Sequence, residues 1–179
     1  MSEFWKESID GGYYDKVLTL GLSKNKGIQA NWHNLTFLKV KNYLDLNKKH
    51  LDYACGSGTL IGLYSEAESI GFDISERQIH YANKKYNQKA NFYLISELNF
   101  EKNLNKYDVI TVLGLLEFLD NRGNIEIINN LHTLLKPNGK LILTTPNFTS
   151  TMYLLEKLIN IFGGVSYQSQ HINKLNKSK

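Results

Sequence analysis

One cysteine, two prolines and two arginines are all that 179 residues hold of these three types, and each scarcity closes off a class of protein. Cys55 alone cannot form an internal disulfide or a cysteine-rich zinc site, so neither a secreted cross-linked scaffold nor a metal site is expected. Nineteen of the 21 cations are lysine, and only Arg77 and Arg122 offer the planar fork that grips bases or phosphates at two points. No apolar run reaches the roughly 18 residues of a membrane span. The start, Met1 to Glu7, carries acids and lacks a signal-peptide core, so a cytoplasmic location is expected. Strong net charge is missing as well. The total is +4, but Lys174, Lys177 and Lys179 stand in the last nine residues, which leaves +1 for residues 1–170. The isoelectric point near 9.0 thus partly reflects a short tail, expected to be solvated, and no nucleic-acid partner is expected.

What is present suits one globular domain: 42% apolar and 21% charged residues in a chain long enough to bury about 70% of its unfolded surface. Residues 1–30 are mixed and aromatic. Residues 31–40 read as an amphipathic helix, with Trp32, Leu35, Leu38 and Tyr43 recurring near a 3.6-residue period. From residue 49 onward, short apolar runs alternate with helical stretches. Strands are expected at 50–54, 69–73, 91–95, 107–113 and 140–145. Ser75-Glu76-Arg77-Gln78 has the form of a capping box opening a helix. Pro137-Asn138-Gly139 reads as a turn that ends another helix, and a last helix is expected around Leu154 to Phe162. Apolar strands joined by helical crossovers predict an α/β fold, a mostly parallel Rossmann-like sheet with helices on both faces. Residues 1–45 would form an N-terminal helical cap over the carboxyl edge of the sheet, 46–164 the core and 165–179 a basic tail.

The most informative stretch is Leu51-Asp52-Tyr53-Ala54-Cys55-Gly56-Ser57-Gly58-Thr59. A tight strand-to-helix turn needs glycine where the backbone takes positive φ or passes close to a ligand, and Gly56 and Gly58 supply it. The dinucleotide fingerprint requires a glycine at 61, where Ile61 stands. Asp52 lies inside the first strand, where a carboxylate can face an ammonium group but would repel a pyrophosphate. Asp73 ends the second strand, placed to accept the hydroxyls of a ribose. The implied ligand has a ribose and an ammonium group and no phosphates. The plainer readings are a carboxylate satisfied by backbone amides at Asp52 and a helix cap at Asp73.

These residues resemble motifs I and II of the class I S-adenosylmethionine-dependent methyltransferases, with Ala54 in place of the first glycine of motif I. The similarity extends over residues 30–150. Leu115-Leu116-Glu117-Phe118 is similar to the family's L-E-H segment, and Leu134 to Leu143 with Thr145-Pro146-Asn147 to its L-K-P-G-G strand and T-P-N turn. The resemblance implies S-adenosylmethionine as cofactor and a small-molecule acceptor, as in the ubiquinone-biosynthesis and sugar or polyketide branch. It also implies that Asp52 and the Cys55, Gly56, Ser57 and Gly58 turn hold the methionine part. Asp73 would take the ribose hydroxyls, Ile74 would pack on adenine, Ser96 or Glu97 would stand near the adenine amino group, and Leu113 would line the pocket. A solvated turn at Ser96 and Glu97, and simple core at Leu113, are the competing readings.

Two departures from the pattern matter. Phe118 stands where many relatives have histidine, so no base carries over. His33 and Tyr14 are the candidates instead, with packing in the cap as the competing reading of each. Relatives also continue into two more strands forming an antiparallel hairpin, which the remaining length does not accommodate. Strand five would then be an open edge, covered by the tail, a second copy or another partner, or belonging to a truncated relative. The rival readings are a nucleic-acid methyltransferase, a nicotinamide-dependent reductase and a cofactor-binding protein without catalysis. The first lacks a P-P-Y-type motif and a cysteine nucleophile after the fourth strand; the second is opposed by Ile61 and Asp52.

Overall fold

Runs rich in apolar and β-branched residues are too short for helices and become strands; the stretches between them carry a helical period. In the computed structural model, which describes residues 4–24, 26–148 and 170–175, the helices are α1 (Phe4–Glu7), α2 (Tyr13–Ser23), α3 (Ile28–Lys41), α4 (Thr59–Tyr64), α5 (Glu76–Tyr86) and α6 (Asn121–Leu134). The strands are β1 (Lys49–Tyr53), β2 (Glu68–Asp73), β3 (Asn91–Leu94), β4 (Tyr107–Leu113) and β5 (Leu135–Thr144). They lie in the order β3-β2-β1-β4-β5, and every pairing is parallel. No described helix is long and apolar enough to cross a membrane.

Strand alternation sends neighbouring residues to opposite layers. Leu51, Tyr53, Ile110 and Val112 pack with Leu131 and Leu134 of α6 on one face. On the other face, Val109 joins Leu18, Ala30, Val40, Leu60 and Tyr64 from α2, α3 and α4. A third cluster seats α5 through Ile79, Ala82 and Tyr86 against Ile61 and Phe92. Helices on both faces of a parallel sheet are thus the observed architecture.

Four expectations change. The periodic residues of α3 do not face the core: Trp32, Leu35 and Leu38, with Tyr43 just beyond, are exposed, while Ala30 and Val40 are buried and Phe37 packs against them. The capping box does not form, because Ser75 makes no side-chain cap and Gln78 is bonded elsewhere. Pro137-Asn138-Gly139 does not separate helix from strand. It bulges inside β5, since Leu135 pairs with Tyr107 and Lys140 already pairs with Val109, with Asn138 at φ 65°. Residues 170–175 are not free tail, for the amides of Ile172 and Asn173 both donate to the Glu117 carbonyl. The helix expected at 154–162, and the stretch where relatives would continue toward a hairpin, lie outside the described residues.

Candidate functional site

Strand order reverses about β1, which has β2 on one side and β4 on the other. In open α/β sheets the crevice at such a point, beyond the carboxyl ends of the strands, is where ligands bind. A cavity of about 260 Å³ lies there. Asp52, Cys55, Gly56, Ser57, Asp73, Ile74 and Leu113 line it from the sheet; Tyr14, Trp32, His33 and Phe37 line it from α2 and α3.

The backbone of the glycine turn is left-handed at three positions, Ala54 (φ 62°), Gly56 (φ 53°) and Gly58 (φ 72°). Gly58 is required twice over, because a Cβ there would lie 2.6 Å from the ring of Phe92. Ala54 takes its conformation with a Cβ present, at a cost of about 1 kcal/mol. Ala54, which stands in place of the first glycine of motif I, thus keeps the left-handed backbone that a glycine would adopt freely.

Both strand-tip carboxylates face this turn. Asp73 accepts from the Gly56 amide through Oδ2 (2.8 Å) and from the Ser75 amide through Oδ1 (2.9 Å). Each oxygen keeps acceptor capacity for a further donor. Burial raises its pKa, and the amide hydrogen bonds oppose that shift. Asp52 is 3% exposed, and burial, opposed by a hydrogen bond from Thr111 and reinforced by the Asp73 charge, lifts its pKa to about 7. Behind it runs a polar chain through the core. Thr111 donates to Asp52 Oδ1 (2.6 Å), His50 Nε2 lies 2.8 Å from Thr111 Oγ1, and His50 Nδ1 lies 3.0 Å from Ser69 Oγ. Burial lowers the His50 pKa to about 3, so the ring is neutral. With the Thr111 proton given to Asp52, the ring is assigned as the Nε2–H tautomer that donates to Thr111.

The cap is tied to this turn by two residues that the sequence did not reveal. Gln78 Oε1 accepts from the Gly12 amide (3.1 Å) and from Ser57 Oγ (2.8 Å), while its Nε2 donates to the Asp10 carbonyl (2.9 Å). Asp15, fully buried on α2, accepts from Thr59, Tyr81 and Tyr86 and pairs with Lys85. Burial alone would raise its pKa; the hydrogen bonds from Lys85, Tyr81 and Tyr86 instead hold it below the usual carboxylate value. Only contacts 21 to 71 residues apart expose these two.

On the cap side, His33 Nε2 is buried without a hydrogen-bond partner and its ring lies 6.1 Å from that of Tyr14. Burial lowers its pKa to about 4, which leaves the imidazole uncharged at neutral pH. Burial raises the Cys55 thiol well above its ordinary value, with the Asp73 and Asp52 charges adding to the effect, so it is no thiolate nucleophile. Ser96 and Glu97 are exposed and do not line the cavity; Glu97 Oε1 accepts from the Leu94 amide (2.8 Å) and closes the turn after β3. Among the described residues no cluster of potential metal ligands occurs.

Comparison with known proteins bears on the family and the fold. A family model described as a methyltransferase domain matches residues 26–178. The ubiquinone biosynthesis O-methyltransferase of Coxiella burnetii is 32% identical over 121 residues, 64% of this chain and 51% of that protein. The protein of the same name from Haemophilus ducreyi is 29% identical over 118 residues, 60% and 49% of the two chains. The chain spans about half the length of the curated relatives it matches. Among solved structures, one from Pyrococcus horikoshii superposes with a TM-score of 0.61 at 21% identity, covering 74% of this chain and 62% of that one. The magnesium protoporphyrin IX methyltransferase of Synechocystis, solved with S-adenosylhomocysteine bound, gives 0.59 at 20% identity over 93% and 72%. These two likenesses speak for the fold, and the family match over residues 26–178 speaks for descent: this chain belongs to the class I S-adenosylmethionine-dependent methyltransferases.

Proposed function

We propose that the chain binds S-adenosylmethionine over the glycine turn and methylates an oxygen of a small, largely apolar acceptor seated under the cap. The observation that carries this reading is the placement of Asp52 and Asp73, on adjacent strands, in one cavity with the left-handed turn between them. That donor set fits the cofactor. Asp73 offers acceptor lone pairs for ribose hydroxyls, Ile74 an apolar surface for the base, and Asp52 a buried carboxylate for an ammonium group. Leu113 and the Cys55 to Ser57 backbone complete the wall, with Gly58 just behind it holding the turn.

When bound, the cofactor supplies a methyl group activated by a sulfonium centre. The chain's own contribution is alignment and exclusion of water, which can be worth several kcal/mol of the barrier. His33, in the tautomer carrying its proton on Nδ1, accepts the acceptor's hydroxyl proton at Nε2; Tyr14 beside it fixes the acceptor's orientation. An oxygen acceptor is favoured by the names of the curated relatives and by that free ring nitrogen. The same reading keeps the protein in the cytoplasm, without a nucleic-acid partner, with a second copy or another protein against the edge of β5.

Calorimetry tests it directly. S-Adenosylhomocysteine should bind and NADH should not, and Asp73→Ala should weaken the former about 100-fold, equivalent to about 3 kcal/mol, since the Gly56 and Ser75 amides also lose their acceptor. Binding of NADH in place of S-adenosylhomocysteine would falsify the reading. Cofactor binding without methyl transfer to any hydroxylated acceptor in a metabolite panel would mark a cofactor-binding protein that does no chemistry.

A further inference from the structure

Helix α3 is apolar on two sides, and only one is accounted for. Its inner arc, with Ala30, Phe37 and Val40, packs into the core, and Gln29, His33 and Thr36 face the cavity. Its outer arc carries Ile28, Trp32, Leu35 and Leu38, at 57%, 36%, 59% and 46% exposure. Spacings of four, three and three residues set these on one stripe of the helix. Leu20 and Leu22, near the end of α2, are exposed as well. Trp32 belongs both to the stripe and to the cavity lining, so the apolar surface runs into the mouth of the site.

Along the sequence, the charge beside the stripe has one sign. Between Asp15 and Asp45 the sequence contains Lys16, Lys24, Lys26, Lys39 and Lys41 and no acid. All five lysines are exposed, and none is in an ion pair among the described residues. This concentration stands out in a chain whose first 170 residues carry only +1. A helix with bulky apolar residues on its outer arc, flanked by lysines and free of acids, matches the interface of an anionic bilayer, where side chains enter the acyl boundary and lysines meet headgroups. A nucleic acid would engage the lysines but leave Ile28, Leu35 and Leu38 without a partner.

From this juxtaposition we infer that the α2–α3 hairpin docks the protein on an anionic lipid surface, with the mouth of the cavity beside the membrane. The inference goes beyond the methyl-transfer reading and does not depend on it. Co-sedimentation of the full chain with phosphatidylcholine vesicles, with and without about 30% phosphatidylglycerol, tests it. Anionic vesicles should bind the protein and neutral ones should bind it at least about tenfold more weakly. Raising NaCl from about 0.1 M to about 1 M, which shortens the screening length from about 10 Å to about 3 Å, should release most of it. The double variant Leu35→Ser/Leu38→Ser should lose about tenfold or more in partitioning, and Lys39→Glu/Lys41→Glu a similar amount. Both should keep the wild-type circular dichroism and affinity for S-adenosylhomocysteine. Absence of binding to anionic vesicles, or binding indifferent to the leucine pair, overturns the inference. So does a dimer, seen by analytical ultracentrifugation, that the leucine variant converts to monomer, because a second copy would then be the occupant. Failure of S-adenosylhomocysteine to bind the wild type would instead strike the methyl-transfer reading and leave this one standing.

Discussion

The two walls of the cavity are built on different principles. On the sheet side the polar geometry is fixed: Asp73 on two amides, Asp52 on Thr111, and Thr111 on His50, all anchored in parallel strands. On the cap side, aromatic area predominates, with Tyr14, Trp32, His33 and Phe37 in contact through their rings. Few polar bonds join the walls, and most of them converge on Asp15 and Gln78, with Tyr64 to Asn34 and Arg77 to the Glu7 carbonyl beside them. On the proposed reading, the contrast teaches that a cofactor of constant shape would be met by groups locked into the sheet, and the acceptor by a separately attached cover whose surface can vary without disturbing the turn.

The largest effect should come from cutting that attachment. Asp15→Ala leaves Tyr81, Tyr86, Thr59 and Lys85 without their shared acceptor, and should cost about 3 kcal/mol in urea unfolding. A loss below about 1 kcal/mol would mean that packing alone holds the cap.

Next comes Asp52. Its folded pKa of about 7 lies above the unfolded value near 3.8, so its proton favours the native state. Stability contributed by that proton is fully present below pH 4, declines as pH rises, and is lost above about 7. Cofactor affinity should move the other way and increase through pH 7 as the carboxylate ionises against the ammonium group. Asp52→Asn should therefore raise Tm at pH 8 by about 3 °C or more while weakening S-adenosylhomocysteine about tenfold there. It should also flatten the pH dependence of binding. A variant that lost stability at pH 8 would show that the buried charge is compensated.

Gln78→Leu tests whether the cover steadies the turn. Removing the acceptor of Gly12 and Ser57 should cost about 1.5 kcal/mol of stability and weaken the cofactor about fivefold. Undisturbed affinity with lost stability would separate the walls functionally. The smallest change is a gain. Ala54→Gly relieves a left-handed alanine and should add up to about 1 kcal/mol, read from the urea midpoint.

Much of the sheet wall was legible in the sequence. β4 was delimited to the residue, β1, β2 and β3 to within one, and Asp52, Asp73 and the glycine turn were singled out together. Ser75 and Gln78 misled, because spacing suggested a local cap while Gln78 spends its side chain on residues 66 and 68 positions away. Likewise the period of Trp32, Leu35 and Leu38 was real but said nothing about which arc of α3 would turn inward.

Backbone demands are local, so left-handed turns, apolar strand runs and their order could be read from neighbouring residues alone, and with them the fold and the crevice. Side-chain partnerships between distant segments leave no periodic trace, since a carboxylate at 15 carries no mark of a tyrosine at 86. Only the folded chain decided that Asp15 and Gln78 join the walls, that His50 stands behind Asp52, and that one apolar face of α3 is left on the surface.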